Sequence, residues 1–177
     1  ISLQKIGIKA NKIIPWDWPC NPINPLDFSA KKLDQNRQQY SFFYAGSISE
    51  DKGVSDLIEA VALLRLHGIK ADLNIAGRSP NLTFFEDQAT SLGIKDSVNF
   101  LGLVPNNKIV YMMRDADIVF VPSRHSYPEG LPLTIYEALC SRTPLIASDH
   151  PMFLSNIEDG YSALIFPEKQ PQEIVQR

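Results

Sequence analysis

Short apolar runs alternate with helically spaced segments along most of this chain, and that alternation constrains the fold more than any other feature. The runs are Tyr40–Ala45, Ala71–Ala76, Ser97–Leu101, Asp117–Pro122, Pro144–Ser148 and Ser162–Phe166. Between the first two, Val54, Leu57, Ile58, Val61 and Leu64 recur on one helical face, and Gly68 supplies a stop. Leu82–Leu92 reads as a second helix closed by Gly93, and Asn106–Arg114 as a third with Asn106 as N-cap. Pro132–Ser141 reads as a fourth, with proline at the first position, where its missing N–H costs nothing. The runs are continuously apolar, as expected of strands covered on both faces. The pattern predicts a Rossmann-like, doubly wound parallel α/β sheet with right-handed crossovers. Ligands of such sheets bind beyond the carboxyl ends of the strands. The loops opening at Gly46, Gly77, Gly102 and Ser123 are therefore the places to look for chemistry.

Composition removes several classes of function. Of 177 residues, 44% are hydrophobic and 21% charged, which excludes a disordered or low-complexity chain. No apolar run reaches the roughly 18–20 residues that span a bilayer. The net charge of −3 gives no global basic field, so no nucleic-acid partner is expected. Cys20 and Cys140 form no CxxC, and we read them as reduced thiols of a cytoplasmic protein. The polar start of the chain lacks the apolar core of a signal peptide. Because the sequence opens on Ile1, further residues of the gene product are expected before it. Residues 1–38, with Pro15, Pro19, Pro22 and Pro25, read as a connector carrying a short strand at Lys12–Ile14. Trp16 and Trp18 are read either as packing this connector onto the domain or as a hinge or ligand-facing wall. Residues 39–177 form the ligand-binding domain.

Two loops carry the chemistry. Gly46–Gly53 joins a strand to a helix, where glycine admits an anion, free N–H groups favour phosphate and Lys52 adds a charge. Its spacing matches neither a P-loop nor GxGxxG, and a simple turn is the competing reading. The segment Pro122–Ala138 places Glu129 in a loop and Glu137 on the next helix, about 7–8 Å along the axis from Pro132. The N–H groups of Leu133 and Thr134 fall in the first turn, where partners are lacking. Carboxylates accept hydrogen bonds from sugar hydroxyls, and amides at a helix start hold phosphate. Together they fit a nucleotide-sugar. The bland alternative makes Glu129 a solvated loop acid and Glu137 an ordinary helix residue. Asp115-Ala-Asp117 spells a metal-binding DxD but sits where a helix runs into a strand, so no metal site is assigned. His67 ends a helix, where a cation suits the dipole. His125 is either ligand-facing or solvated, and His150 has no nearby nucleophile. Ser123 lacks a GxSxG elbow.

Glu129 and Glu137, spaced as E-x7-E within Pro122-Ser123…Glu129-Gly-Leu-Pro-Leu-Thr-Ile-Tyr-Glu137-Ala, make the chain resemble the C-terminal, donor-binding domain of retaining GT-B glycosyltransferases, the large family 4 group. Supporting segments are Ala45-Gly46…Lys52-Gly53, Ile75-Ala-Gly77, Phe100-Leu-Gly102, Ala116–Ser123, Thr143–Asp149, and Glu158-Asp159-Gly160 with Ala163–Pro167. The resemblance implies transfer of a hexose from a nucleotide-sugar, with retention and no cofactor or required metal, in polysaccharide or glycolipid synthesis. By that resemblance Lys52 and Glu129 are catalytic, Glu129 holding donor-sugar hydroxyls and Lys52 stabilising the leaving diphosphate. Glu137 holds the ribose, and the amides of Leu133 and Thr134 meet the diphosphate. Leu103 and Val104 read the base, with the Arg78 turn nearby. Gly46, Ser47 and Leu131 complete the donor set.

The resemblance also implies an N-terminal domain that this chain does not carry. That domain would bring a sugar or lipid-linked acceptor and docking at the inner face of the membrane, and this chain alone would catalyse little. Where the family has Arg after the first-loop glycine, Ser47 stands here. Lys52 then acts alone, or Arg124 compensates, or donor binding is weak. Pro151-Met152 and Ser155 replace the family's Gly-Gly and Glu, and Trp16-Asp17-Trp18 replaces its Asn-Gly-Val-Asp. Two other functions stand as alternatives: a non-catalytic nucleotide-sugar-binding module and a GT-B-like sugar-nucleotide epimerase.

Overall fold

The computed structural model describes residues 9, 28–31, 37–130 and 133–177. Six strands form one parallel sheet: β1 (Tyr40–Ala45), β2 (Ala71–Ala76), β3 (Val98–Gly102), β4 (Ile118–Val121), β5 (Leu145–Ser148) and β6 (Leu164–Phe166). Their spatial order is β3-β2-β1-β4-β5-β6. The order reverses between β1 and β4, which opens a crevice at their carboxyl ends.

Burial on both faces explains why these strands are continuous apolar runs. Along β1, Phe42 and Tyr44 point to one face and Phe43 to the other. The first face packs against α1 (Val54–Leu66), α2 (Leu82–Ser91) and α5 (Pro171–Gln176) through Leu57, Ile58, Phe85 and Ile174. The second packs against α3 (Asn106–Asp115) and α4 (Leu133–Cys140) through Ile109, Met113, Ile135 and Ala138. Across the switch point Tyr44 lies beside Phe120, and Phe42 meets Phe120 edge-on with ring centroids 5.1 Å apart.

Local details depart from the sequence reading in a few places. Asn106 is the first residue of α3 rather than its cap. Pro105 takes the capping position, because its fixed φ suits the entry and its carbonyl accepts from the Lys108 N–H at 2.8 Å. A single 3-10 turn at Lys95–Ser97 precedes β3, which runs Val98–Gly102 rather than from Ser97. The sixth strand is shorter than its apolar run. Ser162 leaves it because its hydroxyl is tied to Glu158, and β6 starts at Leu164. The strand read at Lys12–Ile14, Trp16, Trp18 and Cys20 lie outside the described residues.

Three described residues ahead of β1, Phe28, Lys31 and Arg37, are fastened to α3 and to the start of β4. Phe28 meets Tyr111 of α3 edge-on at 5.8 Å. The Lys31 ammonium donates to the carbonyls of Arg114, at 2.7 Å, and Ala116, satisfying the end of α3. Arg37 pairs with Asp117, whose other oxygen accepts from the Ser41 N–H at 2.8 Å. Asp117 is therefore spent on structure, and the DxD spelling has one member committed elsewhere. Among the described residues no group of three metal-ligating side chains comes together.

Glycine is required where α1 begins. Gly53 has φ +69, and a Cβ there would lie 2.1 Å from the Pro122 carbonyl oxygen. Gly53→Ala should lose about 2–4 kcal/mol of stability, from left-handed strain plus a clash that only backbone movement relieves. Urea unfolding of the two chains measures this, and a loss under about 0.5 kcal/mol, the range of a neutral surface change, refutes the close approach.

Candidate functional site

The site is built from the loops that leave the carboxyl ends of β1, β2, β3 and β4. Backbone bonds knit the first three together: Gly46 N–H to Ala76 O at 3.0 Å, Ile48 N–H to Arg78 O at 2.8 Å and Gly77 N–H to Gly102 O at 2.8 Å. Their packing is tight enough that a Cβ on Gly77 would fall 1.8 Å from the Gly46 carbonyl oxygen. A cleft of about 370 Å³ opens above them. Gly46 and Ser47 line it from the first loop, Arg78 from the second, and Leu103, Val104, Asn106 and Ile109 from the third and α3. Leu133, Thr134 and Glu137 of α4 form its remaining wall.

A second cavity of about 200 Å³ lies beside it and shares Ala45, Leu133 and Thr134. Lys52, Ser123 and Glu129 bring its charge and polarity, over a floor that includes Tyr44 and Phe120. The start of α4 thus stands between the two cavities. Helix geometry puts Glu137 a full turn beyond the first-turn residues Leu133 and Thr134, so its carboxylate faces one cavity while Glu129 faces the other.

Opposite charges close on each other in the smaller cavity. The Lys52 ammonium lies 2.5 Å from Glu129 Oε1 and 3.9 Å from the centre of the Tyr127 ring. Ser123 Oγ donates to the same carboxylate oxygen at 2.5 Å. The Lys52 and Glu129 side chains are 16% and 11% exposed. Tyr44 donates to the Ser47 carbonyl at 2.6 Å. Burial first, and then the Glu129 carboxylate, push the Tyr44 phenol far above its ordinary range, so it stays a donor. In the larger cleft, burial pushes the Glu137 carboxyl above the usual carboxylate range.

Arg124 does not stand in for a cation at position 47. Its guanidinium grips Asp56 of α1 through two bonds, of 2.7 and 3.1 Å, and its backbone N–H donates to the Asp51 carbonyl at 2.8 Å. The bond to Asp56 is the main reason the Arg124 pKa is raised further. Ser126 Oγ adds a 2.7 Å bond to the Asp51 carboxylate. The His125 ring is held through Nε2 by Asp149 Oδ1 at 2.9 Å, with Glu168 Oε1 3.7 Å from Nδ1, and the His125 backbone N–H donates to Glu168. It faces neither cavity, and its ring is engaged rather than simply solvated. His150 is buried; its Nδ1 accepts from the Met152 N–H and its Nε2 reaches the Tyr127 carbonyl at 3.1 Å.

Ten of the eleven sequence-predicted site residues therefore line one of the two adjoining cavities; Leu131 lies outside the described residues. Sequence reasoning missed Asn106, Ile109, Tyr44, Phe120 and the Ser123–Glu129 bond. Tyr44 and Phe120 carried a usable signal, since each is an aromatic one or two residues from the end of a run that leads into a candidate loop.

Residues 27–177 match the family model described as glycosyl transferases group 1. The alpha-D-kanosaminyltransferase of Streptomyces kanamyceticus is 32% identical over 131 residues, covering 74% of this chain and 33% of that protein. The amylovoran biosynthesis glycosyltransferase AmsK of Erwinia amylovora is 25% identical over 174 residues, covering 93% and 43%. The chain thus spans less than half the length of these relatives. Anabaena HepE, solved in complex with UDP and glucose, superposes with a TM-score of 0.70 at 21% identity, over 78% of this chain and 37% of that one. The lipopolysaccharide outer core galactosyltransferase WaaB superposes at 0.72 and 21% identity, over 98% and 47%. At these identities the two structures show a common fold, the Rossmann-like sheet of GT-B glycosyltransferases. With the family model matched over most of its length, the chain belongs to the glycosyl transferases group 1 family.

Proposed function

We propose that this chain is the donor-binding half of a retaining glycosyltransferase that moves a hexose from a nucleoside diphosphate sugar to an acceptor. One observation carries the reading: a cation and a carboxylate, Lys52 and Glu129, meet in a small cavity that adjoins a larger cleft across the first turn of α4. Glu129 takes the sugar hydroxyls. The N–H groups of Leu133 and Thr134 and the ammonium of Lys52 take the diphosphate. As the sugar leaves, negative charge grows on the terminal phosphate, and Lys52 stabilises it without a metal. Glu137 accepts from the ribose hydroxyls, and the backbone at Leu103 and Val104 meets the base. The UDP and glucose of the HepE complex make a uridine diphosphate hexose the first donor to test. The amylovoran biosynthesis relative supports polysaccharide synthesis; that this takes place on the cytoplasmic side of a membrane, with the acceptor held by a preceding domain, rests on the family resemblance alone. Among the described residues no helix is long and apolar enough to cross a membrane.

Ser47 favours a second reading, a nucleotide-sugar-binding module without turnover, because it brings no second cation to the diphosphate.

Titration of the chain with UDP, GDP and ADP and their hexose conjugates tests the donor site. One nucleotide should bind saturably, and Lys52→Ala should weaken it about 10- to 100-fold, the worth of a charge-assisted bond. Absence of binding by every nucleotide overturns the reading. Turnover at ordinary enzyme rates by this chain alone overturns the expectation that it supplies only the donor half.

Glu137 gives a pH-dependent outcome. Folding raises its pKa, so the folded chain favours the protonated acid. Below about pH 4 the acid is protonated in both states and costs nothing. As pH rises the unfolded chain ionises first, and stability falls. Glu137→Gln should therefore melt higher than the parent at neutral pH, lose that advantage on acidification, and bind nucleotide less tightly. A melting gap that is constant across pH contradicts the assignment.

A further inference from the structure

The resting site offers its two lining cations very differently. Arg78 is exposed to the larger cleft, and its guanidinium has no ion pair or hydrogen bond with any described residue. Lys52, by contrast, is held 2.5 Å from Glu129 and 3.9 Å from the Tyr127 ring, in surroundings that leave it 16% exposed. An anion entering the cleft meets Arg78 as a free charge and Lys52 as a neutralised one.

Taking Lys52 from Glu129 has a cost that depends on what else the ligand carries. A bare diphosphate that draws Lys52 away leaves an 11% exposed carboxylate with one donor, Ser123 Oγ at 2.5 Å. A charge stripped of its partner in such a place is strongly unfavourable. A diphosphate joined to a polyol brings hydroxyl donors to the same carboxylate, so both charges exchange partners and neither is stranded.

Resting on the donor reading above, we infer that the Lys52–Glu129 ion pair is a selectivity element, which makes the site prefer a nucleoside diphosphate sugar over the free nucleoside diphosphate. The same exchange acts in reverse once the sugar has gone. Glu129 loses its hydroxyl donors and competes for Lys52, and the spent diphosphate is displaced. Glu129 is then more than a hold on the sugar: it is the competitor that clears the phosphate site.

Titration calorimetry tests this with whichever of UDP, GDP or ADP the parent chain binds most tightly, and with its glucose conjugate. The parent should prefer the conjugate by about tenfold or more, a difference of about 1.4 kcal/mol. Glu129→Gln should bind the bare diphosphate about three- to tenfold more tightly than the parent, with preference for the conjugate falling close to unity. Ser123→Ala leaves both ions in place and removes the other donor to Glu129. It should strengthen the ion pair and weaken the bare diphosphate about threefold. Melting curves establish that each variant is folded. Parent binding of both ligands, with bare-diphosphate affinity unmoved or lowered by Glu129→Gln and unmoved by Ser123→Ala, overturns the ion-pair role and leaves the donor site standing. Failure of the parent to bind either ligand overturns both.

Discussion

The backbone of Gly53 rests against the carbonyl of Pro122, and the polar architecture of the site depends on that approach. It brings the loop after β1 onto the end of β4, at the point where strand order reverses. Once the two loops touch, Asp51 receives Arg124 and Ser126, Asp56 receives the Arg124 guanidinium, and Lys52 reaches Glu129 and Tyr127. None of these contacts is local in sequence. Any side chain at position 53 would push the loops apart and dissolve them together. The Asp56–Arg124 pair, with Asp56 only 5% exposed, gains little net free energy after desolvation. Its geometric demand is strict, however: two forked bonds fix the distance between α1 and the β4 loop.

Behind that contact lies a ring of support from β5 and β6. The Ser148 hydroxyl donates to the Ser123 carbonyl at 2.5 Å, and His125 bridges to Asp149 and Glu168 beyond the two strands. Because His150 Nδ1 accepts from the Met152 N–H, its Nε2 carries the hydrogen and donates to the Tyr127 carbonyl. Tyr127 is thereby held from behind while its ring faces the Lys52 ammonium. The loop carrying Glu129 is long, yet bonds on both flanks position it.

The sheet was legible in the sequence because burial on both faces writes itself as unbroken apolar runs, as in Tyr40–Ala45 and Asp117–Pro122. The loops were legible because they follow those runs. What stayed hidden is what tertiary partners decide. Arg124 looked like a candidate phosphate ligand until Asp56, 68 residues away, claimed it. His125 had two open readings because Asp149 and Glu168 are distant in the chain. Asn106 looked like a cap because its residue type favours that role, but the proline before it already supplied the entry geometry. The pairing of Lys52 with Glu129 could not be read from either loop alone, since spacing reports which groups share an edge and not which of them neutralise each other.

The fastening of Phe28, Lys31 and Arg37 has a mechanical consequence. Phe28 and Lys31 grip the far end of α3, and Arg37 grips Asp117, directly ahead of β4. A force applied through these residues enters β4 at its amino end and travels along a strand bonded on both sides. Glu129 hangs from the opposite end. The strand acts as a stiff rod set in a plank, so a tug at these residues swings the loops that line the two cavities as one piece and leaves the spacing of their charges unchanged.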